Sequence, residues 1–149
     1  AGDGALRHLE LSPDGRRLYI SDMYHGSVLL YDIREERVVA RRRLGSNLNT
    51  IALTPDGRHL LVSERGKNHP EDYTREGPQF GRVFLCDAVT LEPLSWIWGR
   101  NQPTGLAVSP DGRLVAFTDF MDDNLELYEL LIPRPSRRAT NRLPRSNSF

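Results

Sequence analysis

One segment of this sequence occurs three times without gaps, and Pro-Asp-Gly-Arg is identical in every copy. The copies are LELSPDGRRLYISD (9–22), IALTPDGRHLLVSE (51–64) and LAVSPDGRLVAFTD (106–119). A second block follows each of them: SVLLYD (27–32), RVFLCD (82–87) and NLELYE (124–129). The spacing between the two blocks is 13 residues longer in the second copy, so the underlying period is about 42 residues. Self-similarity at such a period is typical of repeat architectures.

Each repeat predicts four short strands, which we label A to D. The apolar runs are rich in Leu, Val, Ile, Phe and Tyr, and Pro-Asp-Gly turns separate them because Pro presets φ and Gly accepts a positive φ. In the first repeat we expect strands at 9–12, 17–21, 27–31 and 37–44, and in the second we expect strand D near 93–98. No segment has a sustained apolar period of 3.6 residues, so little or no helix is expected.

Some of these strands are apolar at successive positions, as in 28–30 and 60–62. Burial on both faces is what stacked sheets require, and a four-stranded unit of about 40–45 residues is typical of a propeller blade. The sequence therefore predicts an all-β fold, a β-propeller fragment of about two and three-quarter four-stranded antiparallel blades. Blade 1 covers about residues 6–45, blade 2 about 48–99 and the incomplete blade 3 about 103–131.

The A–B hairpins resemble those of a known family. SPDGRRLYISD and TPDGRHLLVSE are similar to the SPDG hairpin of the YVTN β-propeller repeats of bacteria and archaea, whereas the third copy has Ala116 where the family has an aromatic residue. The resemblance covers about residues 6–131. It implies a bacterial protein of the periplasm, cell envelope or exterior. It also implies that ligands bind at the mouth of a central channel, on the face where the B–C and D–A loops open.

A propeller needs about four to eight blades to close, more than this chain supplies. We expect the chain to be the C-terminal part of a longer propeller, since the family completes its last blade with a strand from the far N-terminus. The alternative is a ring of several copies, and the open blade faces favour self-association. Residues 132–149 hold five arginines and no acid, and their Arg/Pro/Ser-rich composition predicts a disordered basic tail.

Three acids occupy one column of the repeat at the end of strand B: Asp22, Glu64 and Asp119. Three carboxylates at matching positions are suited to binding a divalent cation, or to acting as a general base that takes a proton from a water. The sequence favours a second interpretation, in which each acid accepts hydrogen bonds from backbone N–H groups of the adjoining turn. We therefore predict no cofactor and assign neither catalytic nor metal-binding residues firmly.

The 13-residue insertion lies within residues 65–81, between strands B and C of the second repeat. Long loops on a rigid scaffold commonly carry binding, although a surface loop without a partner is equally typical of such a sequence. His25 lies in the corresponding loop of the first repeat, and with His69 and a nearby acid it offers a weaker transition-metal set. The candidate binding residues on this face are His25, Arg65, Asn68, His69, Asp72, Tyr73 and Arg75.

Composition excludes several classes of function. The 20 basic and 20 acidic residues balance, which argues against a nucleic-acid partner. No apolar run approaches the length of a transmembrane segment, and a single cysteine, Cys86, excludes an intramolecular disulfide. Our leading hypothesis is a non-catalytic scaffold that binds a protein or small-molecule ligand at the B–C loop face. The resemblance implies an alternative, a lactonase-like hydrolase using the channel-facing acids with or without a metal, and more remotely a cofactor-dependent oxidoreductase.

Overall fold

The computed structural model describes residues 4–131, which form eleven strands. Neither an α-helix nor a membrane-spanning helix occurs among these residues. The all-β class predicted from the repeat is confirmed, whereas the predicted tail at 132–149 lies outside the described residues. The strands are β1 (Leu6–Leu11), β2 (Arg17–Asp22), β3 (Ser27–Asp32), β4 (Arg37–Arg43), β5 (Leu48–Leu53), β6 (His59–Glu64), β7 (Arg82–Asp87), β8 (Pro93–Trp98), β9 (Pro103–Val108), β10 (Leu114–Asp119) and β11 (Asn124–Glu129).

Each repeat folds into its own antiparallel sheet. The strand orders are β1-β2-β3-β4, β5-β6-β7-β8 and β9-β10-β11, so within each sheet every strand pairs with the strands next to it in the chain. Strands A to D of the repeat are thus consecutive strands of one meander. The third sheet has three strands within the described residues, as the sequence predicted.

The Pro-Asp-Gly turns join the first two strands of each sheet. Asp14 accepts hydrogen bonds from the Ser12 hydroxyl at 2.6 Å and from the Arg16 backbone N–H at 3.1 Å. Asp56 and Asp111 repeat this pattern in the other two sheets. Because the glycine that follows each aspartate has a φ between 66° and 71°, these turns need a residue without a Cβ.

Two apolar cores lie between the three sheets. The first joins side chains of sheets one and two, and the second joins side chains of sheets two and three. Strand β6 contributes to both, since Leu60 and Val62 lie in the first core and Leu61 in the second. Cys86 is buried in the first core as a small apolar side chain. The middle sheet is therefore packed on both faces, like a blade between two neighbours.

Neighbouring sheets approach one another most closely along their first strands. The Ser21 hydroxyl at the end of β2 donates to the Asn49 carbonyl of β5 at 2.6 Å. The Ser63 hydroxyl of β6 donates to the Thr104 carbonyl of β9 at 3.2 Å. Strands β1, β5 and β9 also pack in sequence, β1 on β5 and β5 on β9. The first strand of each sheet is therefore the inner strand of the assembly.

Candidate functional site

The three acids of the repeat column lie at the ends of β2, β6 and β10, and all three are buried. Glu64 accepts a hydrogen bond from the Ser46 backbone N–H at 2.8 Å, and its other oxygen accepts one from the Arg82 Nε at 2.6 Å. Ser46 lies in the loop between the first and second sheets, so Glu64 ties the end of its strand to the loop that enters its own sheet.

Asp119 does the same in the third sheet. One carboxylate oxygen accepts a hydrogen bond from the Arg100 backbone N–H at 3.0 Å, and the other accepts one from the Asn124 side chain at 3.3 Å. Burial and, secondly, the neighbouring Glu126 carboxyl together raise the pKa of Asp119 to about 6. A buried carboxyl beside another carboxyl favours its neutral form.

Asp22 differs from the other two acids because its partners lie in the B–C turn. Its oxygens contact the His25 backbone N–H at 3.1 Å and the His25 Nδ1 at 2.7 Å. The histidine ring also lies edge-on against Tyr24, with the ring centroids 5.0 Å apart. The candidate residue His25 is therefore held by an acid of its own blade.

The acids accordingly have the partners expected of backbone caps. Within residues 4–131, no group of three or more His, Cys, Asp and Glu side chains is arranged to hold a metal ion. The hydrolytic and metal-binding interpretations of Asp22, Glu64 and Asp119 stay predictions.

The insertion is an irregular loop whose exposed part is organised by its own residues. Asp72 accepts hydrogen bonds from the Thr74 N–H and hydroxyl, at 2.9 Å and 2.7 Å, and these bonds hold the pKa of Asp72 below its usual value. Arg75 lies 3.8 Å from both Glu71 and Asp72. His69 accepts a hydrogen bond from the Glu71 N–H at 3.3 Å.

Hydrogen bonds also fix the insertion to the loop that enters the third sheet. The Gly77 N–H donates to the Asn101 side chain at 2.9 Å, and the Gln102 side chain donates to the Tyr73 carbonyl at 3.0 Å. Both Asn101 and Gln102 are buried. The predicted binding loop is thus attached to two adjacent blades, while the ring of Tyr73 remains exposed.

Arg65, the first residue of the insertion, is buried with 7% of its surface exposed. Its backbone N–H donates to the Asn47 carbonyl at 3.2 Å, and its guanidinium contacts the Gln102 side-chain oxygen. Asn47 and Gln102 occupy equivalent positions of the repeat, and both have a positive φ, 53° and 61°. The Arg65 Nε has no hydrogen-bond partner in residues 4–131, and neither does the buried Asn68 Oδ1.

Sequence reasoning missed Arg7, Asn49, Asn101 and Gln102, which adjoin this site. Arg7 and Asn49 occupy the same position on the inner strands β1 and β5, and the Arg7 Nε donates to the Asn49 Oδ1 at 3.2 Å. The available signal was polar residues at the start of strand A in an otherwise apolar repeat. Whether these polar residues adjoin the site depends on which strands lie innermost. Only the packing of the sheets shows which strands those are.

The chain is similar to segments of two curated proteins. It is 39% identical over 126 residues to Antigen Lp49 of Leptospira interrogans, which covers 84% of this chain and 28% of the relative. It is 43% identical over 135 residues to a dihydro-heme d1 dehydrogenase of Pseudomonas aeruginosa, which covers 76% of this chain and 27% of the relative. The chain thus spans little more than a quarter of the length of either protein. No protein-family model matches the sequence.

Two solved structures have the same arrangement of sheets. One is a Bacteroides fragilis protein provisionally assigned as a 6-phosphogluconolactonase, with a TM-score of 0.67, 18% identity and coverage of 85% of this chain and 35% of that one. The other is hydrazine synthase of Kuenenia stuttgartiensis, with a TM-score of 0.68, 23% identity and coverage of 87% and 41%. At these identities the likeness concerns the fold alone. Together with the stacked four-stranded meanders, it identifies the chain as part of a β-propeller.

Proposed function

We propose that this chain belongs to a non-catalytic, ligand- or protein-binding β-propeller of the YVTN type, and that the face carrying the B–C loops is its binding face. The observation that carries the proposal is the attachment of the insertion. The insertion adds residues to the repeat on this face. The side chains of Asn101 and Gln102 fix the backbone of the insertion to the next blade.

Such attachment reduces the entropy that a loop loses on binding, and loops held on a rigid scaffold are where binding residues concentrate. The ring of Tyr73 is exposed, as are the side chains of Asp72 and Arg75 to a large extent. We assign them, with His25, Asn68 and His69, to contacts with the ligand. Arg65 differs from these residues because its side chain is buried.

The remaining blades come, in this proposal, from a longer protein. Three sheets are too few to close a ring, and the two curated relatives are each more than three times as long as the segment they share with this chain. The resemblance to YVTN repeats supports a place in the bacterial periplasm or cell envelope.

Two observations favour a scaffold over an enzyme. The curated relatives carry unlike names, an antigen and a dehydrogenase, so a shared segment suits a common framework better than one shared reaction. In addition, both carboxylate oxygens of Glu64 and of Asp119 already accept hydrogen bonds from the protein. A general base must lie within hydrogen-bond reach of a water, and these existing bonds compete with a water for the same carboxylate oxygens.

The binding face can be tested by replacing residues 68–79 with a short Gly-Ser linker in the full-length protein. A matched control replaces the exposed turn at 33–36, on the opposite face, with the same linker. A panel of organic acids, sugars and short peptides is screened by thermal shift. We expect compounds that raise the Tm of the unaltered protein to lose their effect in the insertion variant and to keep it in the control. An equal response in both variants would contradict the proposal.

The absence of catalysis is tested separately with a panel of lactones. We expect the lactones to be hydrolysed at the same rate with the protein as without it. Hydrolysis that disappears in a Glu64→Gln/Asp119→Asn double variant would overturn the non-catalytic assignment. Calorimetric titration with divalent cations on the same pair of proteins is expected to give indistinguishable heats.

A further inference from the structure

Arg65 is a buried cation without an acidic partner among residues 4–131. Nine-tenths of its surface is inaccessible, and none of the ion pairs within residues 4–131 includes it. Arg82 on the neighbouring strand β7 shows the usual solution, since its Nε lies 2.6 Å from the Glu64 carboxylate. Removing a charge from water without such a partner is costly, so an unpaired buried guanidinium is an unusual feature.

A second cation and a second unsatisfied donor lie in the same region. Arg7 on β1 donates through its Nε to the Asn49 Oδ1 on β5, which orients the Asn49 amide. Asn49 is only 4% exposed, and its Nδ2 has no partner among the described residues. The pKa of Arg65 is lowered by its burial and, secondarily, by the positive charge of Arg7, as expected for two cations near each other.

The topology brings these groups to one end of the inner strands. Leu48 pairs with Glu64, so Asn49 and Arg65 lie at the same end of the second sheet. Leu6 pairs with Asp22, which puts Arg7 at the corresponding end of the first sheet. This end carries the B–C and D–A loops, and the insertion begins at Arg65. Two guanidinium groups and an amide donor thus lie at the same end of the inner strands, on the side of the binding face.

We propose that Arg65, Arg7 and Asn49 form an anion-binding site that accepts a carboxylate or phosphate group of a small ligand. A guanidinium donates paired hydrogen bonds to either group, and the free Asn49 amide N–H supplies a further donor. An anion here would neutralise the buried charge and satisfy both orphan donors. This inference rests on the proposed function for the location of the ligand and names the ligand's chemical class.

The experiment measures thermal unfolding and calorimetric binding of the full chain with inorganic phosphate and, separately, succinate, against NaCl at equal ionic strength. We expect one or both anions to raise the Tm, and the stronger of the two identifies the group that the site prefers. Arg65→Gln is expected to weaken this binding at least about tenfold, because it removes a charge-assisted contact. Arg7→Gln, at an exposed position less critical for folding, is expected to weaken it as well.

Asn49→Asp is the sharpest variant, because it places a carboxylate of nearly the same shape beside Arg7, at the end of the sheet where Arg65 lies. We expect its Tm without added anion to exceed that of the unaltered protein, and its response to phosphate and succinate to be lost. Arg34→Gln, in the exposed turn between β3 and β4, is the matched control and is expected to respond like the unaltered protein. Absence of any anion response, or an equal response in Arg65→Gln and Arg34→Gln, would overturn the proposal.

The two proposals fail in distinguishable ways. Suppose that the anion response requires Arg65 but ligand binding is unchanged when the insertion is replaced. This result would support the anion site and reject the role of the insertion. Ligand binding that requires the insertion, without any anion response, would reject the anion site alone.

Discussion

The second and third sheets have the same sequence pattern but different surroundings. In the second, Leu60, Leu61 and Val62 of β6 are all buried, because the first and third sheets cover its two faces. In the third, Leu125 and Leu127 of β11 are 67% and 63% exposed. The repeat therefore specifies an apolar face, and the neighbouring blade determines whether that face is buried.

Ser21, Ser63 and Thr118 occupy one position of the repeat, which we call the hydroxyl column. These polar residues show the same contrast between buried and exposed surroundings. Ser21 and Ser63 each donate to the inner strand of the next sheet, at Asn49 and Thr104. Thr118 occupies the same position in the third sheet, accepts a hydrogen bond from the Gly105 N–H at 3.1 Å and is exposed. In the proposed longer propeller, a further blade covers this face, including Leu125.

The largest difference between the two sheets is expected from truncating a leucine in each. Leu60→Ala removes a fully buried side chain between two sheets and should lower the free energy of unfolding by about 2–5 kcal/mol. Leu125→Ala, on the open face, should change it by less than about 0.5 kcal/mol. Urea unfolding of the two variants measures both values. Equal losses would contradict the stacking of β6 between two sheets.

A smaller difference is expected from the hydroxyl column. Ser63→Ala leaves the Thr50 N–H without its acceptor and removes the hydrogen bond to Thr104, at an expected cost of about 1–2 kcal/mol. Thr118→Val removes the equivalent hydroxyl from an exposed position and should be neutral within about 0.5 kcal/mol. The same unfolding measurement applies, and a larger effect at Thr118 would show that its face is already covered.

A pH-dependent effect is expected from two aspartates of the third sheet whose pKa values shift in opposite directions. The pKa of Asp119 is raised to about 6, so its contribution to stability is present below about pH 4 and is lost as pH rises through 6. Relative to Asp119→Asn, the unaltered protein should therefore lose at least about 1 kcal/mol between pH 4 and 7.5.

Asp111 is the matched control, because the Ser109 hydroxyl and the Arg113 N–H lower its pKa. Its contribution is present above its ordinary pKa and is lost as pH falls. Because the pKa of Asp111 lies below 3.8, most of this gain falls below pH 4, and relative to Asp111→Asn the unaltered protein should hold or slightly increase its stability between pH 4 and 7.5. Urea midpoints at pH 4, 5.5 and 7.5 measure both slopes, and a loss of stability with rising pH at Asp111 as large as that at Asp119 would refute the assignment.

The sequence predicted the strands, the turns and the three sheets because these depend on local pattern. Pro-Asp-Gly turns and apolar runs recur with the repeat, and β8 begins and ends where strand D of the second repeat was expected. Burial on both faces was readable at Leu60–Val62 for the same reason. The environment of Arg65 was not readable, since it depends on Asn47 and Gln102, which lie in loops leading to two different sheets.

The most direct measurement of the stacking uses the single native cysteine. Cys86 is buried between the first and second sheets, and burial raises the pKa of its thiol to about 12. In the chain of residues 1–149, Leu127→Cys places a second thiol on the open face of the third sheet. In native conditions at pH 8, iodoacetamide should modify position 127 at least about 100-fold faster than Cys86, which should react only as the protein unfolds. Modification of Cys86 in native conditions as fast as that of an exposed thiol would contradict the account, because it would mean that the first sheet does not cover the second.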